Sequence, residues 1–429
     1  MRKKKVLIVT YYWPPAGGPG VQRVLKFAKY LPQFGWEPII LTVENGEYPA
    51  LDESLLNDIP AAIKVYKTKT LEPFALYKRL MGQQDKAIET YALTEKNESV
   101  MSRVFKWVRL NLFIPDARIG WKPYAVRQGI HIIKEEGVDA VLSSSPPHSL
   151  QLAAKKMAHQ THTPWLADFR DLWLDAFYIP TEEQGKRARR RNAHLEKTIL
   201  TSADKVISTS REIIDDFKNK CAVAQYDVVY NGYDEQDFSN LETKGNRRFT
   251  IRYFGSISSG QNPEALFRAL NELRKTKADV AALITVELYG KIDASVQRSI
   301  DNYQLADMVH FMGYVPHASV PSLMMTSDCL LLLLPRTKYK GMVPGKLFEY
   351  MAAKQAILAI GDRHSEVSDL LTRTKTGQMF DHNDSITAYL ESLFRQWQKG
   401  VKTVDSVAID HFSRKYQTEK LAQVLNDLV

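Results

Sequence analysis

The chain has 429 residues, of which 44% are hydrophobic and 25% are charged. This composition is ordinary for a globular protein and excludes a disordered chain, and the length favours two domains of roughly 200 residues each. Its two cysteines, Cys221 and Cys329, are too few for a disulfide framework or a thiolate zinc site, which indicates a reducing, cytoplasmic compartment. The net charge of +9 favours anionic partners such as phosphates, anionic lipid or nucleic acid.

The amino terminus imitates a signal peptide. Basic residues at positions 2–5 precede the apolar run 6–10, but this run is short and ends in Tyr11, Tyr12 and Trp13. We predict a buried first strand there instead. No run of about eighteen apolar residues occurs in the sequence, so we expect no transmembrane helix.

Short apolar runs alternate with helical patterns along the whole chain, which indicates parallel sheets with crossover helices. The predicted strands of the first half are residues 6–10, 38–42, 140–143, 165–168, 206–209 and 228–230. Those of the second half are residues 250–254, 286–289, 309–312, 330–334 and 357–360. The polar segment 237–248 is the predicted linker. The expected fold is therefore α/β, with two doubly wound, Rossmann-like domains over residues 1–240 and 249–411.

The first predicted strand leads into a loop, residues 14–20, that is rich in glycine and proline. Glycine permits the close backbone approach and the positive φ that a ligand-facing turn needs, so Gly17 and Gly18 are candidate donor-binding residues. The spacing fits neither Gly-x-Gly-x-x-Gly nor a P-loop, which disfavours dinucleotide or ATP binding here. A tight turn without a ligand is the alternative interpretation.

Two segments of the first half are strongly basic. Residues 103–110, within the long stretch 71–124, interleave Arg103, Lys106 and Arg109 with large apolar side chains, as the earlier residues 77–81 also do. Such a pattern is typical of a helix at an anionic membrane surface, although a pair of helices packed over the sheet is the alternative. The densest cationic patch is residues 186–191, Lys-Arg-Ala-Arg-Arg-Arg.

Polar side chains follow two neighbouring predicted strands. Asp168, Arg170 and Asp171 come at the end of strand 165–168, where partial burial can shift pKa values. Arg170 can clamp a phosphate or a sugar hydroxyl, and Asp171 is the candidate for orienting or activating the acceptor. The alternative is an ion pair of Arg170 with Asp168 or Asp171 that orders the loop. His148, after strand 140–143, is a second acceptor-side candidate, with capping or packing as its alternative.

The most informative segment is residues 344–353, which reads as a Pro-Gly turn at the start of a helix. Helix N-termini present unpaired N–H groups and a partial positive charge, so this helix can hold a phosphate beside Lys346. Glu349, three residues further on, can accept hydrogen bonds from a ribose. The alternative is a solvent-exposed ion pair between Lys346 and Glu349.

Several motifs occur in one order along nearly the whole chain. They are residues 14–18, 230–234, 254–256, 311–315, 327–335 and 346–353, followed by the terminal segment 412–429. In this order and spacing they resemble retaining glycosyltransferases of the family-4 type, bacterial enzymes of surface-polysaccharide synthesis that have the GT-B fold. The resemblance implies that the helix at 412–429 packs back on the first domain.

The resemblance also implies the chemistry. A nucleotide-diphosphate sugar is expected in the cleft between the domains, with transfer by a front-face, metal-independent mechanism that needs no cofactor. The acceptor is expected to be a glycan or a lipid-linked sugar, on a cytoplasmic protein that is peripheral at the inner face of the plasma membrane. Lys346, with Arg170 and Asp171, is the expected catalytic group. The donor-binding residues implied are Gly17, Gly18, Ser256, Asn262, Val315, Lys346, Leu347 and Glu349, and the acceptor-side candidates are His148 and Asp168.

The sequence departs from the family pattern at the donor site. Gly341 stands where the first glutamate of a glutamate pair is expected, and Ser256 and Asn262 lie where an arginine and a lysine are common. Arg170 stands where a histidine is usual. The phosphate charge must then be met by Lys346, with Arg336 and Lys338 as further candidates.

Two other functions remain open at this stage. The first is a basic membrane- or nucleic-acid-binding protein with impaired catalysis, which Gly341, Ser256 and the net charge of +9 suggest. No nucleic-acid-binding module is visible, so nucleic acid is not an expected partner. The second is a sugar-nucleotide epimerase on the same fold, which would act without an acceptor.

Overall fold

The computed structural model describes residues 2–48, 50–71, 100–174, 184–239, 245–336, 341–400 and 404–429. The chain forms two compact units: unit 1 is Met1–Asn231 with Arg414–Val429, and unit 2 is Gly232–Ser413. This division precedes the predicted linker, because the Tyr233 N–H donates to the Phe412 carbonyl at 3.0 Å and ties the segment after Asn231 to the end of unit 2. Among the described residues, no helix combines the length and apolar composition that a membrane crossing requires.

Unit 1 is built on a seven-stranded parallel sheet in the order β3-β2-β1-β4-β5-β6-β7. Its strands are β1 Lys4–Val9, β2 Trp36–Val43, β3 Lys64–Thr68, β4 Ala140–Ser145, β5 Trp165–Phe169, β6 Lys205–Ser208 and β7 Tyr226–Val228. Its helices in chain order are α1 Pro19–Tyr30, α2 Val100–Asn111, α3 Lys122–Glu136, α4 Ser149–Thr161, α5 Lys186–Ser202 and α6 Arg211–Lys220. Unit 1 also takes the last helix of the chain, described below.

The central strand β1 shows why these apolar runs form a sheet. Val6 and Ile8 pack on one face and Leu7 and Val9 on the other, and all four are fully buried. A parallel strand covered by helices on both sides is apolar at every position, and each such side chain contributes about 1.5–3 kcal/mol by burial. The carboxyl ends of β1, β4 and β5 are neighbours in this sheet, so the loops that follow them lie side by side.

Unit 2 is built on a six-stranded parallel sheet in the order β10-β9-β8-β11-β12-β13. Its strands are β8 Phe249–Phe254, β9 Ile284–Tyr289, β10 Val309–Gly313, β11 Cys329–Leu333, β12 Ala356–Ile360 and β13 Gly377–Phe380. Its helices are α7 Glu264–Thr276, α8 Ala278–Ala281, α9 Ala294–Asn302, α10 Val320–Met325, α11 Gly345–Ala352, α12 Glu366–Thr374 and α13 Thr387–Gln398.

The last helix, α14 Arg414–Asn426, belongs to unit 1 and packs against α1. Leu421 and Leu425 are fully buried in the core on that side of the sheet. The Gln417 side chain accepts the Tyr230 N–H at 2.7 Å, and Arg414 donates to the Gln22 side chain at 3.0 Å.

The predicted α/β class with two doubly wound sheets is confirmed, and the predicted strands match observed ones to within two residues at most of their ends. Two strands were not predicted. Edge strand β3, Lys-Val-Tyr-Lys-Thr, is partly exposed along its length, and edge strand β13 has only four residues. The strand predicted at 228–230 is β7, which lies two residues earlier.

Candidate functional site

Lys346 lies in the first turn of α11, directly after the Pro344 cap. Its ammonium donates to the Tyr253 hydroxyl and to the Phe254 carbonyl, each at 3.0 Å, and lies 4.5 Å from the centre of the Tyr253 ring. Burial lowers the pKa of Lys346 to about 8, and the nearby Glu349 carboxylate opposes this shift. Lys346 therefore carries its charge at neutral pH on a site without a neutralising ion pair among the described residues.

Glu349 is half-buried one turn further along α11. Its carboxylate makes no hydrogen bond or ion pair within the part of the chain that the structure describes, and its interaction with Lys346 is only electrostatic. The exposed Lys346–Glu349 ion pair considered as an alternative is therefore not the observed arrangement. Lys346 and Glu349 are brought together with their charges available to a ligand.

Two glycines lie near Lys346 at the carboxyl ends of neighbouring strands. Gly255 and Gly290 follow β8 and β9 with φ of 124° and 115°, a region that favours glycine. A Cβ on Gly255 would lie 2.8 Å from the Lys346 ammonium, and one on Gly290 would lie 2.4 Å from the Gly255 carbonyl oxygen. The absence of a side chain at Gly255 therefore leaves room for the lysine ammonium, and its absence at Gly290 leaves room for the Gly255 backbone.

The other predicted donor-binding residues of unit 2 are placed differently. Ser256 is exposed, and its carbonyl accepts the Tyr253 hydroxyl at 2.8 Å. The Asn262 amide donates to the Ser299 hydroxyl at 2.8 Å and so links the start of α7 to α9 rather than pointing at Lys346. The Leu347 side chain is fully buried and its N–H donates to the Pro344 carbonyl, while Val315 is half-buried after β10.

The structure places the residue that departs from the family's glutamate pair, and one of the two further phosphate candidates. Gly341 is buried with φ of 87°, so a glutamate at this position would be strained. Arg336 is exposed, and its backbone N–H donates to the Gly260 carbonyl at 3.0 Å. Lys338, the third phosphate candidate, lies outside the described residues.

In unit 1, Asp168 is taken up by a buried ion pair. Its two carboxylate oxygens accept the Arg23 guanidinium at 2.8 and 3.0 Å and the Ser144 hydroxyl at 2.7 Å, and both charged side chains are fully buried. Arg23 also donates to the Tyr230 carbonyl at 3.0 Å. The ion-pair partner of Asp168 is therefore Arg23 and not Arg170. The carboxylate predicted to face an acceptor is enclosed in the protein.

Arg170 connects the loops that follow three neighbouring strands. Its guanidinium donates to the Pro146 carbonyl after β4 at 2.7 Å and to the Gly20 carbonyl at the start of α1 at 3.1 Å. A Cβ on Gly20 would lie only 2.8 Å from the centre of this guanidinium. Asp171 follows, half-buried, at the same edge of the sheet. The structure thus brings Arg170 and Asp171 to the glycine loop.

His148 has the surroundings of a packing residue. It is 5% exposed, its ring stacks on Trp173 with 4.8 Å between centres, and neither ring nitrogen has a hydrogen-bond partner of ordinary geometry. Burial and the neighbouring Arg170 lower its pKa to about 3, with the Leu172 backbone acting weakly in the other direction. The ring is therefore neutral at physiological pH, which makes it a poor acceptor-side base.

The two candidate glycines after β1 differ from each other. Gly17 donates its N–H to the Ala50 carbonyl at 2.9 Å, so this donor is already used. Gly18 is exposed, caps α1 and has φ of 103°, and no atom lies within 4 Å of the place a Cβ would take. Gly18 is thus the position with room for a ligand.

A cavity of about 340 Å³ opens at the carboxyl ends of β1, β2 and β3 in unit 1. Trp13 and Tyr48 give it aromatic walls, and Glu44, Asn45 and Lys67 give it polar groups of both signs. Burial raises the pKa of Tyr48, so its hydroxyl stays protonated and can donate a hydrogen bond. The sequence gives a weak signal for this cavity, because only Trp13, Pro14 and Pro15 lie at a motif and the other lining residues follow β2 or belong to β3.

The fold and the paired lysine and glutamate on α11 define a protein of the GT-B type, with two Rossmann-like sheets. Family models cover nearly all of it: Glycosyltransferase Family 4 matches residues 18–237, and Glycosyl transferases group 1 matches residues 234–404. The chain belongs to Glycosyltransferase Family 4, so the resemblance noted in the sequence is confirmed as to the family and the GT-B fold.

Individual relatives are distant. The probable glycosyltransferase WbjE of Pseudomonas aeruginosa is 23% identical over 267 residues, which are 58% of this chain and 64% of that protein. A glycosyltransferase from Rickettsia africae is similar in fold, with a TM-score of 0.63 and 14% identity over 100% of this chain and 99% of that one. HepE from Anabaena, solved with UDP-glucose, has a TM-score of 0.61 and 14% identity, covering 99% and 100%.

Proposed function

We propose that this protein is a glycosyltransferase that moves a sugar from a nucleotide-diphosphate donor to a lipid-linked or saccharide acceptor, with retention of configuration, in cell-surface polysaccharide synthesis. One observation carries the proposal: Lys346 and Glu349 lie one turn apart on α11 with no ion pair to satisfy either among the described residues. That HepE was solved with UDP-glucose supports a nucleotide-sugar donor.

The chemistry assigns a task to each group. The Lys346 ammonium and the N–H groups at the start of α11 stabilise the negative charge that develops on the leaving diphosphate. The Glu349 carboxylate accepts hydrogen bonds from the ribose hydroxyls. Because the lysine and the helix start supply positive charge themselves, we propose that transfer needs neither a metal nor another cofactor.

We place the acceptor on unit 1. Arg170 and Asp171 follow the carboxyl end of β5, beside the loops after β1 and β4, and open α/β sheets bind ligands at this end of their strands. Asp171 orients the attacking hydroxyl, whose proton passes to the leaving diphosphate as the sugar is attacked from the same face. The aromatic and polar walls of the 340 Å³ cavity suit a saccharide ring of the acceptor.

Binding of nucleotide to the Glu349 variant tests the proposal. We expect UDP or GDP at millimolar concentration to raise the melting temperature of the wild-type protein, because a ligand that binds only the folded state stabilises it. Glu349→Gln should weaken this binding about ten- to a hundredfold, since a charged hydrogen bond contributes roughly 1.5–3 kcal/mol. Asp369→Asn, which neutralises an exposed carboxylate on α12, is the matched control and should change nothing.

The results separate the alternatives. If neither nucleotide stabilises the protein, the nucleotide-sugar proposal fails. Nucleotide binding without transfer to any saccharide would favour the impaired protein, for which Gly341, at a φ of 87° that would strain a glutamate, is the supporting observation. Turnover of a sugar nucleotide without an acceptor would favour the epimerase.

A further inference from the structure

Tyr253 is a fully buried tyrosine near the carboxyl end of β8. Its ring packs in the hydrophobic core of unit 2. Its hydroxyl donates to the Ser256 carbonyl at 2.8 Å and accepts the Lys346 ammonium at 3.0 Å. Burial raises the pKa of Tyr253, so the hydroxyl stays neutral at physiological pH. Tyr253 therefore presents a neutral acceptor to Lys346 from a ring that the core holds in place.

The Lys346 ammonium uses two of its three N–H groups inside the protein. One is donated to the Tyr253 hydroxyl and one to the Phe254 carbonyl, each at 3.0 Å. The ammonium also lies 4.5 Å from the centre of the Tyr253 ring, at which distance an aromatic ring attracts a cation. The third N–H has no partner within the described part of the chain, so it can be donated to a ligand.

The end of β8 and the helix α11 are joined through Phe254. Its N–H donates to the Tyr350 hydroxyl at 3.1 Å, and its carbonyl accepts Lys346. Tyr350 is fully buried and lies one turn after Lys346 on the same helix. A lysine side chain has a flexible four-carbon stem, so its ammonium stays in one place only where acceptors hold it. Here β8 supplies both of those acceptors.

The position of Lys346 is important because the loop beside it supplies no second cation. Residues 255–263 contain neither lysine nor arginine. A cation stabilises the charge of a leaving diphosphate best when its N–H groups are already in place, and a small displacement removes much of the effect. The groups that hold the ammonium therefore determine how well Lys346 can serve a diphosphate.

We propose that Tyr253 is a positioning residue of the transferase, whose ring and hydroxyl hold the Lys346 ammonium so that its third N–H binds the diphosphate of the donor. This assignment rests on the proposed function, which places the diphosphate beside Lys346. A phenylalanine would fill the same space in the core, so the hydroxyl is the part of Tyr253 that serves the lysine. Tyr253 acts through Lys346 and does not itself contact the nucleotide.

Tyr253→Phe, which keeps the ring and removes the hydroxyl, tests this inference. The affinity for UDP or GDP, whichever stabilises the wild-type protein, is measured by calorimetric titration from roughly pH 6.5 to 9.5. A hydrogen bond to the charged form favours that form, so its loss should lower the pKa of Lys346. The nucleotide affinity should then begin to fall about one pH unit lower than in wild type, where the pKa is about 8. Glu349, which raises the Lys346 pKa, is present in both proteins.

Two further variants separate the contributions of the ring and the lysine. Tyr253→Leu also removes the aromatic ring and should lower the affinity about threefold to tenfold below that of Tyr253→Phe. In the Lys346→Met background, Tyr253→Phe should cause no further loss of affinity, because a residue that acts through the ammonium has no effect once the ammonium is absent.

Tyr226→Phe is the matched control. The Tyr226 hydroxyl is partly buried in unit 1 and donates to the Cys221 carbonyl at 2.6 Å, so the control loses a comparable hydrogen bond far from Lys346 in the sequence. We expect it to keep the wild-type affinity and pH dependence. Melting temperatures without nucleotide, measured for every variant, report the effect on the fold separately.

The outcomes distinguish this inference from the proposed function. The inference is overturned if Tyr253→Phe keeps the wild-type affinity and pH dependence, if it causes an equal loss in the Lys346→Met background, or if Tyr226→Phe has the same effect. In each of these cases the wild-type protein still binds nucleotide, so the proposed function stands. A wild-type protein that binds neither UDP nor GDP would overturn both.

Discussion

The charged groups at the carboxyl ends of the strands differ between the two units in the partners that they bind. In unit 1, Arg23 and Asp168 satisfy each other in a fully buried pair, and Arg170 donates to the Gly20 and Pro146 carbonyls. In unit 2, Lys346 binds only the neutral Tyr253 hydroxyl and a carbonyl, and Glu349 lies beside it with no ion pair in the described part of the chain.

This difference distinguishes charged residues that hold the fold together from charged residues that can bind a ligand. A buried charge whose partners are all internal holds loops in place, and it costs stability when one partner is removed. A charge held by neutral groups keeps its electrostatic potential for an incoming ligand. We therefore expect substitutions at Arg23 to act on folding and substitutions around Lys346 to act on nucleotide binding.

Arg23→Ala should produce the largest effect. It leaves the Asp168 carboxylate buried without its partner, which costs about 3–5 kcal/mol of unfolding free energy. Equilibrium urea unfolding measures the loss, and Arg23→Met combined with Asp168→Leu should recover part of it. Arg395→Ala, which breaks the exposed pair with Glu391 on α13, is the control and should cost about 0.5 kcal/mol or less. A similar loss of unfolding free energy in Arg23→Ala and Arg395→Ala would contradict the structural role assigned to the buried Arg23–Asp168 pair.

Gly255→Ala should have an intermediate effect that reaches the ligand. The residue has φ of 124°, and a Cβ would lie 2.8 Å from the Lys346 ammonium. We expect a loss of about 1–3 kcal/mol in stability from the strained backbone, together with weaker UDP binding because Lys346 is displaced. Gly260→Ala is the control, since nothing lies within 4 Å of its Cβ position and its φ is not positive. Unchanged UDP affinity in Gly255→Ala would mean that Lys346 does not take part in UDP binding.

Much of the fold was predictable from sequence because buried parallel strands are apolar at every position. Edge strand β3 escaped prediction because its partly exposed residues, Lys-Val-Tyr-Lys-Thr, form neither an apolar run nor a strict alternation of polar and apolar groups. In the site, Lys346 and Glu349 were predictable because they share one helix turn. The Arg23–Asp168 pair was not, since 145 residues separate its members and Arg23 lies on a helix that gives no sign of its partner. The same holds for Tyr253 under Lys346, because a tertiary contact alone makes them neighbours.

The smallest expected effect is a pH dependence. It distinguishes the contribution of Lys346 to stability from its contribution to nucleotide binding. Burial lowers its pKa from 10.5 to about 8, so between these values the unfolded chain binds a proton that the folded site lacks. The free energy of unfolding should therefore gain a contribution that rises with pH across this window.

Nucleotide binding should change in the opposite direction, because it needs the ammonium. Above about pH 8, UDP affinity should fall, by at most tenfold for each pH unit, since the diphosphate itself is already ionised. Calorimetric titration from roughly pH 7 to 9.5 measures this, and Lys346→Met should bind weakly with no such slope. An equal slope in both proteins would mean that another group titrates, and Lys346 would then be a structural residue like Arg23.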